Sequence, residues 1–339
     1  MGRLFTATRR LLVVAGIAAG MAASQGAWAQ AAWNAVVEAA KKEGSVMLYT
    51  QQVPPIVDRI KADFARAYPG ITLETTRLTG TTVISKLDQE RQAGMDGGDV
   101  VITVEILWLE DRAKEGAMKK PIGPASQGWP AKYLLRDVIP VYALEPLVAA
   151  YNTNLVKTPV NSYADLMRPE FRGRLGTTEV QALSIVAWYE WLEKTQGNDF
   201  LGRLSALQPK LYTGAVPNAQ STASGEIAAT LFSVPTVVMP LIERGAPMKM
   251  LIPQPALGIR YAGGILGWTK RPNAAQVLND YLMSPRGQAI WHGRGESASP
   301  LPNIPGSPDA NAIQPFDPSV YNANSVADYK KKFDSALKR

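Results

Sequence analysis

The sequence predicts an α/β protein of two domains built on parallel sheets, and three observations carry that expectation. Short apolar runs alternate with longer amphipathic runs, the pattern of strand–helix–strand units whose right-handed crossovers make parallel sheets. At 339 residues the chain is longer than a single hydrophobic core usually serves. It contains no cysteine, so buried apolar surface must do without disulfides, as a chain of this size can.

The first 29 residues stand apart from the fold. Arg3, Arg9 and Arg10 precede an apolar run from Leu11, and Ala27-Trp28-Ala29 precedes Gln30. Charge, apolar core and A-x-A in that order are a cleavable secretory signal peptide, with cleavage expected after Ala29. The run is too short and too rich in Ala and Gly for a membrane span. Thr8-Arg9-Arg10 also fits the twin-arginine route, and ordinary signal peptides carry arginine pairs too, so both export routes stay open. An exported protein, free of the membrane after cleavage, is expected.

Past the signal peptide the elements follow in order. "AAWNAVVEAAKKEG" is an amphipathic helix stopped by Gly44, and "SVMLYT" is a buried strand. A helix from Pro55 through Tyr68 ends at Pro69-Gly70, and "ITLETT" is the second strand. "RLTGTTVISKL", Arg77 to Leu87, opens the next helix, which runs to Gly94. Its threonines suit an N-cap, but they equally gather hydroxyls and backbone N–H groups at the positive end of a helix dipole, where an anion is held. "GDVVITV" is the third strand, followed by a helix through Trp108 and Leu109.

A second α/β region starts with the extended "EPLVAAYNTNLV", turning at Tyr151-Asn152. It continues with a short helix around Ser162–Met167, the strand "GRLGTT" and a long helix from about Val180 to Lys194. "AGGILGWT" is a further strand, and "NAAQVLNDYLMSPRGQAIW" reads as two helices broken at Ser284-Pro285. Residues 299–320 hold six prolines, and a basic helix closes the chain.

Composition excludes several functions. Removing residues 1–29 takes away three arginines and no acids, leaving 33 basic against 29 acidic residues, so the formal charge falls from +7 to +4. So small a surplus, with no basic block, gives no case for nucleic acid. The lack of cysteine removes thiol nucleophiles, Fe–S clusters and cysteine zinc sites. His292, the one histidine, rules out a multi-histidine metal site and is expected near a helix end rather than in a catalytic triad. No cofactor is called for.

Ligands of parallel sheets collect beyond the carboxyl ends of the strands. Those ends carry Gln51 and Gln52, then Arg77, Thr79, Gly80, Thr81 and Thr82, then Glu105.

Several segments resemble the periplasmic solute-binding proteins of ABC importers, in the type II group that includes ferric-ion, polyamine, thiamine and phosphonate binders. They are "SVMLYT", "IKADFARAYPGITLE", "GDVVIT", "AAYNTNLV", "SYADLMRPEFRGRLG" and "AAQVLNDYLMSPRGQAIW", spread over nearly all of the chain past residue 29. The resemblance implies two α/β lobes joined by two crossing strands and closing on a ligand by a hinge. The crossings would fall near Leu147–Tyr151 and Ala262–Gly267. The first lobe would comprise residues 31–148 with 263–300, and the second 150–261 with 301–339. It also implies a small-molecule solute and an importer permease as partners. A monomer is expected because nothing demands an interface.

The ferric binders of that family hold metal with adjacent tyrosines in the second lobe, plus a histidine and a glutamate in the first. Where the tyrosines should fall this chain has Val234, Pro235 and Thr236, and no histidine stands near Gln51–Val53. Hard Fe(III) is poorly served by such a set. Candidates on the second lobe are Thr177, Thr178, Gln181, Ser221, Thr222, Ser233, Thr236 and Tyr261, with Glu179, Ser184, Asn218 and Gln220 beside them. Hydroxyls, amides and helix starts suit a carboxylate or phosphonate, and Glu105 or Glu179 would suit an amine on the same molecule. The expected function is capture of a small anionic or zwitterionic solute. The alternatives are a ferric-iron or iron-chelate receptor and, from another class, an enzyme on the same scaffold with Glu105 as base.

Overall fold

The computed structural model describes residues 30–78, 81–322 and 324–338. The signal peptide and the Thr79-Gly80 pair therefore lie outside the described residues. Helix α1 (30–43) leads into β1 (Ser45–Thr50), α2 (Pro54–Ala67), β2 (Thr72–Arg77), α3 (Thr82–Ala93), β3 (Val100–Thr103) and α4 (Ile106–Lys114). Then come β4 (Met118–Lys119), α5 (Pro124–Gln127), β5 (Leu134–Leu135), β6 (Ile139–Pro146) and β7 (Val148–Asn152). The chain continues through β8 (Leu175–Thr178), α6 (Leu183–Gln196), α7 (Phe200–Ala206), β9 (Lys210–Tyr212), α8 (Ala215–Ser224), β10 (Ala229–Ser233), α9 (Pro235–Glu243) and β11 (Met248–Leu251). It ends with β12 (Ala256–Leu266), α10 (Pro272–Met283), α11 (Pro285–His292), β13 (Ile313–Pro315) and α12 (Ser325–Leu337).

Two sheets result. The first runs β2-β1-β3-β12-β6-β5, with β4 and β13 also paired to β12. The second runs β11-β7-β10-β8-β9. In the first, β1 pairs in parallel with β2 and β3, and β12 inserts antiparallel between β3 and β6. In the second, β8 pairs in parallel with β9 and β10, and β7 inserts antiparallel between β10 and β11. Each lobe thus has the same strand plan, and its one reversed central strand arrives directly from the other lobe. Gly263 allows the close approach of β12 to β3, since a Cβ there would sit 1.7 Å from the Val101 carbonyl oxygen.

The local signals work as physical chemistry requires. Prolines stand at the starts of α2, α9, α10 and α11, where a missing N–H costs nothing. Ser284 caps α11 by accepting from the Gly287 N–H at 3.1 Å. Helix α3 ends at Gly94 with φ 62°, a left-handed position glycine takes without strain.

The first core packs Ile56, Ile60 and Phe64 of α2, Leu48 of β1 and the buried face of α10. The second is aromatic, with Trp188, Tyr189, Phe200 and Phe333 all fully buried. The sheet boundaries shift from the expected ones. Strand β12 begins at Ala256 rather than 262, so residues 256–261 belong to the first sheet, and the second crossing falls at 252–255. The tail also divides. Strand β13 extends the first sheet beside β12, whereas α12 packs on α6 and α7 of the second lobe. Backbone pairing decides this, since β13 finds an open edge on the start of β12, with Ile313 opposite Ala256.

Candidate functional site

A cavity of about 590 Å³ lies between the lobes. Its walls come from the ends of β1 and β3 (Gln51, Val104, Glu105), the starts of α3, α4 and α6, the crossing strand β12 (Ile259, Tyr261) and the tail (Phe316, Pro318). The volume falls within the range of small-molecule sites. Another concavity, of about 500 Å³, is lined by residues 130–133 and 299–311, so it draws on segments flanking the first sheet alone.

Three helix starts converge here. Thr81 precedes α3, Glu105 precedes α4 and Ala182 precedes α6, and all three residues line the cavity. None of them caps its helix with its own side chain. For Thr81 this answers the question its sequence poses: it stands at the cap position, but its hydroxyl is not spent on capping. Two helix dipoles from one lobe and one from the other present their positive ends to a single space.

Among the described lining residues Glu105 carries the one formal charge. Its backbone N–H donates to Thr103 Oγ1 at 3.1 Å, and burial raises its carboxyl pKa against an opposing hydrogen bond with Gln51. Gln51 is held in place: its Oε1 accepts from Thr103 Oγ1 at 3.0 Å and from the Val104 N–H at 2.7 Å. Gln181 reaches back, its Nε2 donating to Glu179 Oε2 at 3.3 Å.

The structure therefore brings Gln51, Thr81, Glu105, Gln181 and Tyr261 to one cavity, with Ser184 beside them. Other candidates lie elsewhere. Arg77 is not on the cavity wall: its Nε donates to the carbonyl of buried Gln52 at 2.9 Å, although its charge reaches Tyr261. Thr82 is exposed, one residue into α3. Thr177 and Thr178 are fully buried; Thr177 Oγ1 bonds the Tyr189 hydroxyl at 2.8 Å inside the second lobe. Ser221 and Thr222 lie near the C-terminal end of α8, not at a helix start, and their hydroxyls bond Glu226 at 2.8 Å and the Asn218 carbonyl at 3.0 Å. The reason is that α8 begins at Ala215, so "NAQST" is helix interior.

Ser233 and Thr236 flank the start of α9. Ser233 Oγ is buried with no protein partner. Thr236 Oγ1 donates to Glu145 Oε1 at 2.6 Å. Glu145, on β6 at the first crossing, is a residue the sequence reading missed. It is only 2 % exposed, and burial pushes its carboxyl up to about 7 despite hydrogen bonds from Thr236 and Tyr261. Tyr261 stays protonated to donate this bond, its own pKa raised by burial and then by the Glu145 charge. One carboxyl thus joins both crossing strands and the second lobe's α9. Its single signal in the sequence was an acid inside the apolar run "VYALEPLVAAY".

His292 ends α11 and is fully buried. Its Nε2 donates to the Tyr142 carbonyl at 3.1 Å and its Nδ1 accepts from Ser297 Oγ at 2.8 Å, and burial lowers its pKa to about 3. No substrate could reach it there. Among the described residues no three of His, Cys, Asp and Glu gather to hold a metal, and no helix is long and apolar enough to cross a membrane.

Two α/β lobes with a shared cavity define a bilobal binding protein of the type II periplasmic fold. The chain belongs to the bacterial extracellular solute-binding protein family, whose model matches residues 45–295. No curated protein sequence matches it. Among solved structures, the substrate-binding protein of an ABC transporter from Agrobacterium tumefaciens aligns with TM-score 0.71 at 16% identity, over 88% of this chain and 97% of that one. Iron-bound HitA from Pseudomonas aeruginosa aligns with TM-score 0.63 at 18% identity, over 87% and 99%. AfuA from Actinobacillus pleuropneumoniae, with exogenous fructose-6-phosphate bound, aligns with TM-score 0.62 at 16% identity, over 87% and 99%. At such identities the likeness is one of fold.

Proposed function

We propose that this protein is the periplasmic receptor of an ABC importer for a small organic anionic or zwitterionic solute, working as a monomer and carrying out no covalent chemistry. The convergence of three helix starts from two lobes on one cavity carries the reading. These ends favour an anionic group, and Glu105 on the same wall favours an amine or hydroxyl. A zwitterion uses both. Ligand then shifts the lobes toward closure by as much as it binds the closed form better, and the permease reads that form.

Structural neighbours bind iron in one case and a sugar phosphate in another, so fold alone does not name the cargo. Iron is disfavoured by the residues themselves, since Val234-Pro235-Thr236 offers no phenolate and Glu145 already occupies the Thr236 hydroxyl. An enzyme using Glu105 as base would have Tyr261 as its acid on the described cavity wall, and that hydroxyl is already engaged by Glu145.

The test is a thermal-shift screen of carboxylates, phosphonates, amino acids, polyamines and ferric citrate against residues 30–339. A receptor gains stability as RT ln(1 + [L]/Kd) and returns the compound unchanged. Stabilisation by ferric salt alone, with a visible charge-transfer band, would replace the organic solute by iron. Turnover of any compound would replace the receptor by an enzyme.

A further inference from the structure

The C-terminal segment is more than a trailing end. Strand β13 pairs with β12, setting Pro315 opposite Gly258, and the next residue is fixed by its backbone on both sides. Phe316 N–H donates to the Gly258 carbonyl at 3.3 Å, and its own carbonyl accepts from Arg260 at 3.4 Å. Asp317 then caps a short turn at 318–320 by accepting from the Ser319 N–H at 2.9 Å. Beyond the turn the chain is tied to the second lobe: Tyr321 OH donates to Glu190 at 2.8 Å, and Tyr329 OH and Lys332 Nζ both reach Glu193. Residues 316–321 are therefore a third connection between the lobes, a strap pinned at each end.

The strap also builds the cavity. Phe316 and Pro318 line it together with Ile106, Leu107, Leu183 and Ile259, so a large share of the wall is apolar beside the single charge of Glu105. Phe316 also packs against the second core although its backbone belongs to the first sheet. A charged head alone would leave this wall facing water within a closed cleft, where an apolar group of matching size gains about 25 cal/mol per Å² buried.

Resting on the receptor reading above, we infer that the solute carries an aliphatic or aromatic body opposite its charged head, and that Phe316 of the strap is the specificity-determining residue for that body. The Phe316 backbone is set by β12 and its ring rests on the second core, so the ring sits where the two lobes meet.

The test holds the head group constant and varies the body. Calorimetric titration of residues 30–339 uses three series: glycine to alanine, leucine and phenylalanine; acetate to hexanoate and phenylacetate; methylphosphonate to butyl- and phenylphosphonate. In at least one series affinity should climb tenfold or more from the smallest to a larger member. Phe316→Ala should cut the larger members' affinity at least tenfold and leave the smallest within threefold. Phe316→Trp, which keeps an aromatic wall and serves if the alanine variant folds poorly, should move the optimum to a smaller body. A flat series, or equal loss for every member in both variants, would overturn the inference. If no member binds while a polyamine or ferric citrate stabilises the protein, the inference falls and a receptor remains. If nothing in either screen binds, the receptor reading falls.

Discussion

The two lobes share one strand plan and are held together by different chemistry. In the first, elements far apart in sequence are riveted by buried charge. Asp99 is fully buried and receives Arg271 Nε at 2.7 Å, Thr269 Oγ1 at 2.5 Å and the Met47 N–H at 2.7 Å. Asp63 receives Arg286 at 2.7 Å and Tyr281 at 2.9 Å, which hold its carboxyl pKa down to about 2. The second lobe is assembled largely from the continuous stretch 148–251, closed by α12 through Tyr329 and Lys332 on Glu193, and its centre is a larger ring cluster, Trp188 meeting Tyr163, Tyr189 and Phe232. The lobe whose chain must return from residue 256 onward needs directional contacts to specify that return. The locally assembled lobe relies more on apolar area and ring contacts, with charge used where α12 returns to it.

That contrast can be broken from either side. Trp188→Ala should be the most damaging, costing about 3–5 kcal/mol by loss of a fully buried indole, read as a lower urea midpoint for second-lobe probes. Asp99→Ala should cost nearly as much, about 3–5 kcal/mol, because Met47, Thr269 and Arg271 lose a buried partner. If Asp99→Ala were neutral, the first lobe would not depend on charge.

The hinge is next. An unfolded glutamate titrates near 4.5 and Glu145 near about 7, so the folded protein holds an extra proton between those values. Stability from this group is present below pH 4.5 and lost as pH rises through about 7, by up to about 3 kcal/mol. Glu145→Gln should therefore raise the melting temperature above that of the wild type at pH 8 and not at pH 4.5.

Gly263→Ala sets a Cβ against backbone that cannot move, at 1.7 Å from Val101 O, and should cost about 1–3 kcal/mol or more. Gly176→Ala in the second lobe meets side chains of Asn218 and Ile227, which can turn aside, and should cost less in the same denaturation assay. The smallest effect is expected for Lys338→Ala. Its ion pair with Glu179 at 2.9 Å is screened by solvent, so the denaturation midpoint should barely move.

Much of this was legible beforehand. Alternating runs located β1, β2 and β3 and their helices, because β1 and β3 are largely buried, the edge strand β2 is short and β-branched, and each helix stops at a glycine or proline. The site was half legible. Gln51, Thr81 and Glu105 follow strand ends in a simple parallel order, so topology alone places them. Ser221 and Thr222 were misplaced because a run of small polar residues suits a helix start and a helix interior alike. Phe316 was hidden in a proline-rich segment whose position depends on pairing with β12, a contact no local pattern encodes. Glu145 was hidden for a similar reason, since its partners are 91 and 116 positions away at Thr236 and Tyr261.

The cavity's role rests on motion of one lobe against the other around a guest. The absence of cysteine allows spin labels to be placed uniquely, at Ser85→Cys in α3 and Lys194→Cys in α6, both exposed positions. Pulsed electron resonance on this pair, with and without the best stabilising compound of the screen, measures the gap directly. The account expects a shorter and narrower distance distribution with ligand, abolished when Glu105→Ala and Gln181→Ala are combined. An unchanged distribution with the compound demonstrably bound would contradict it.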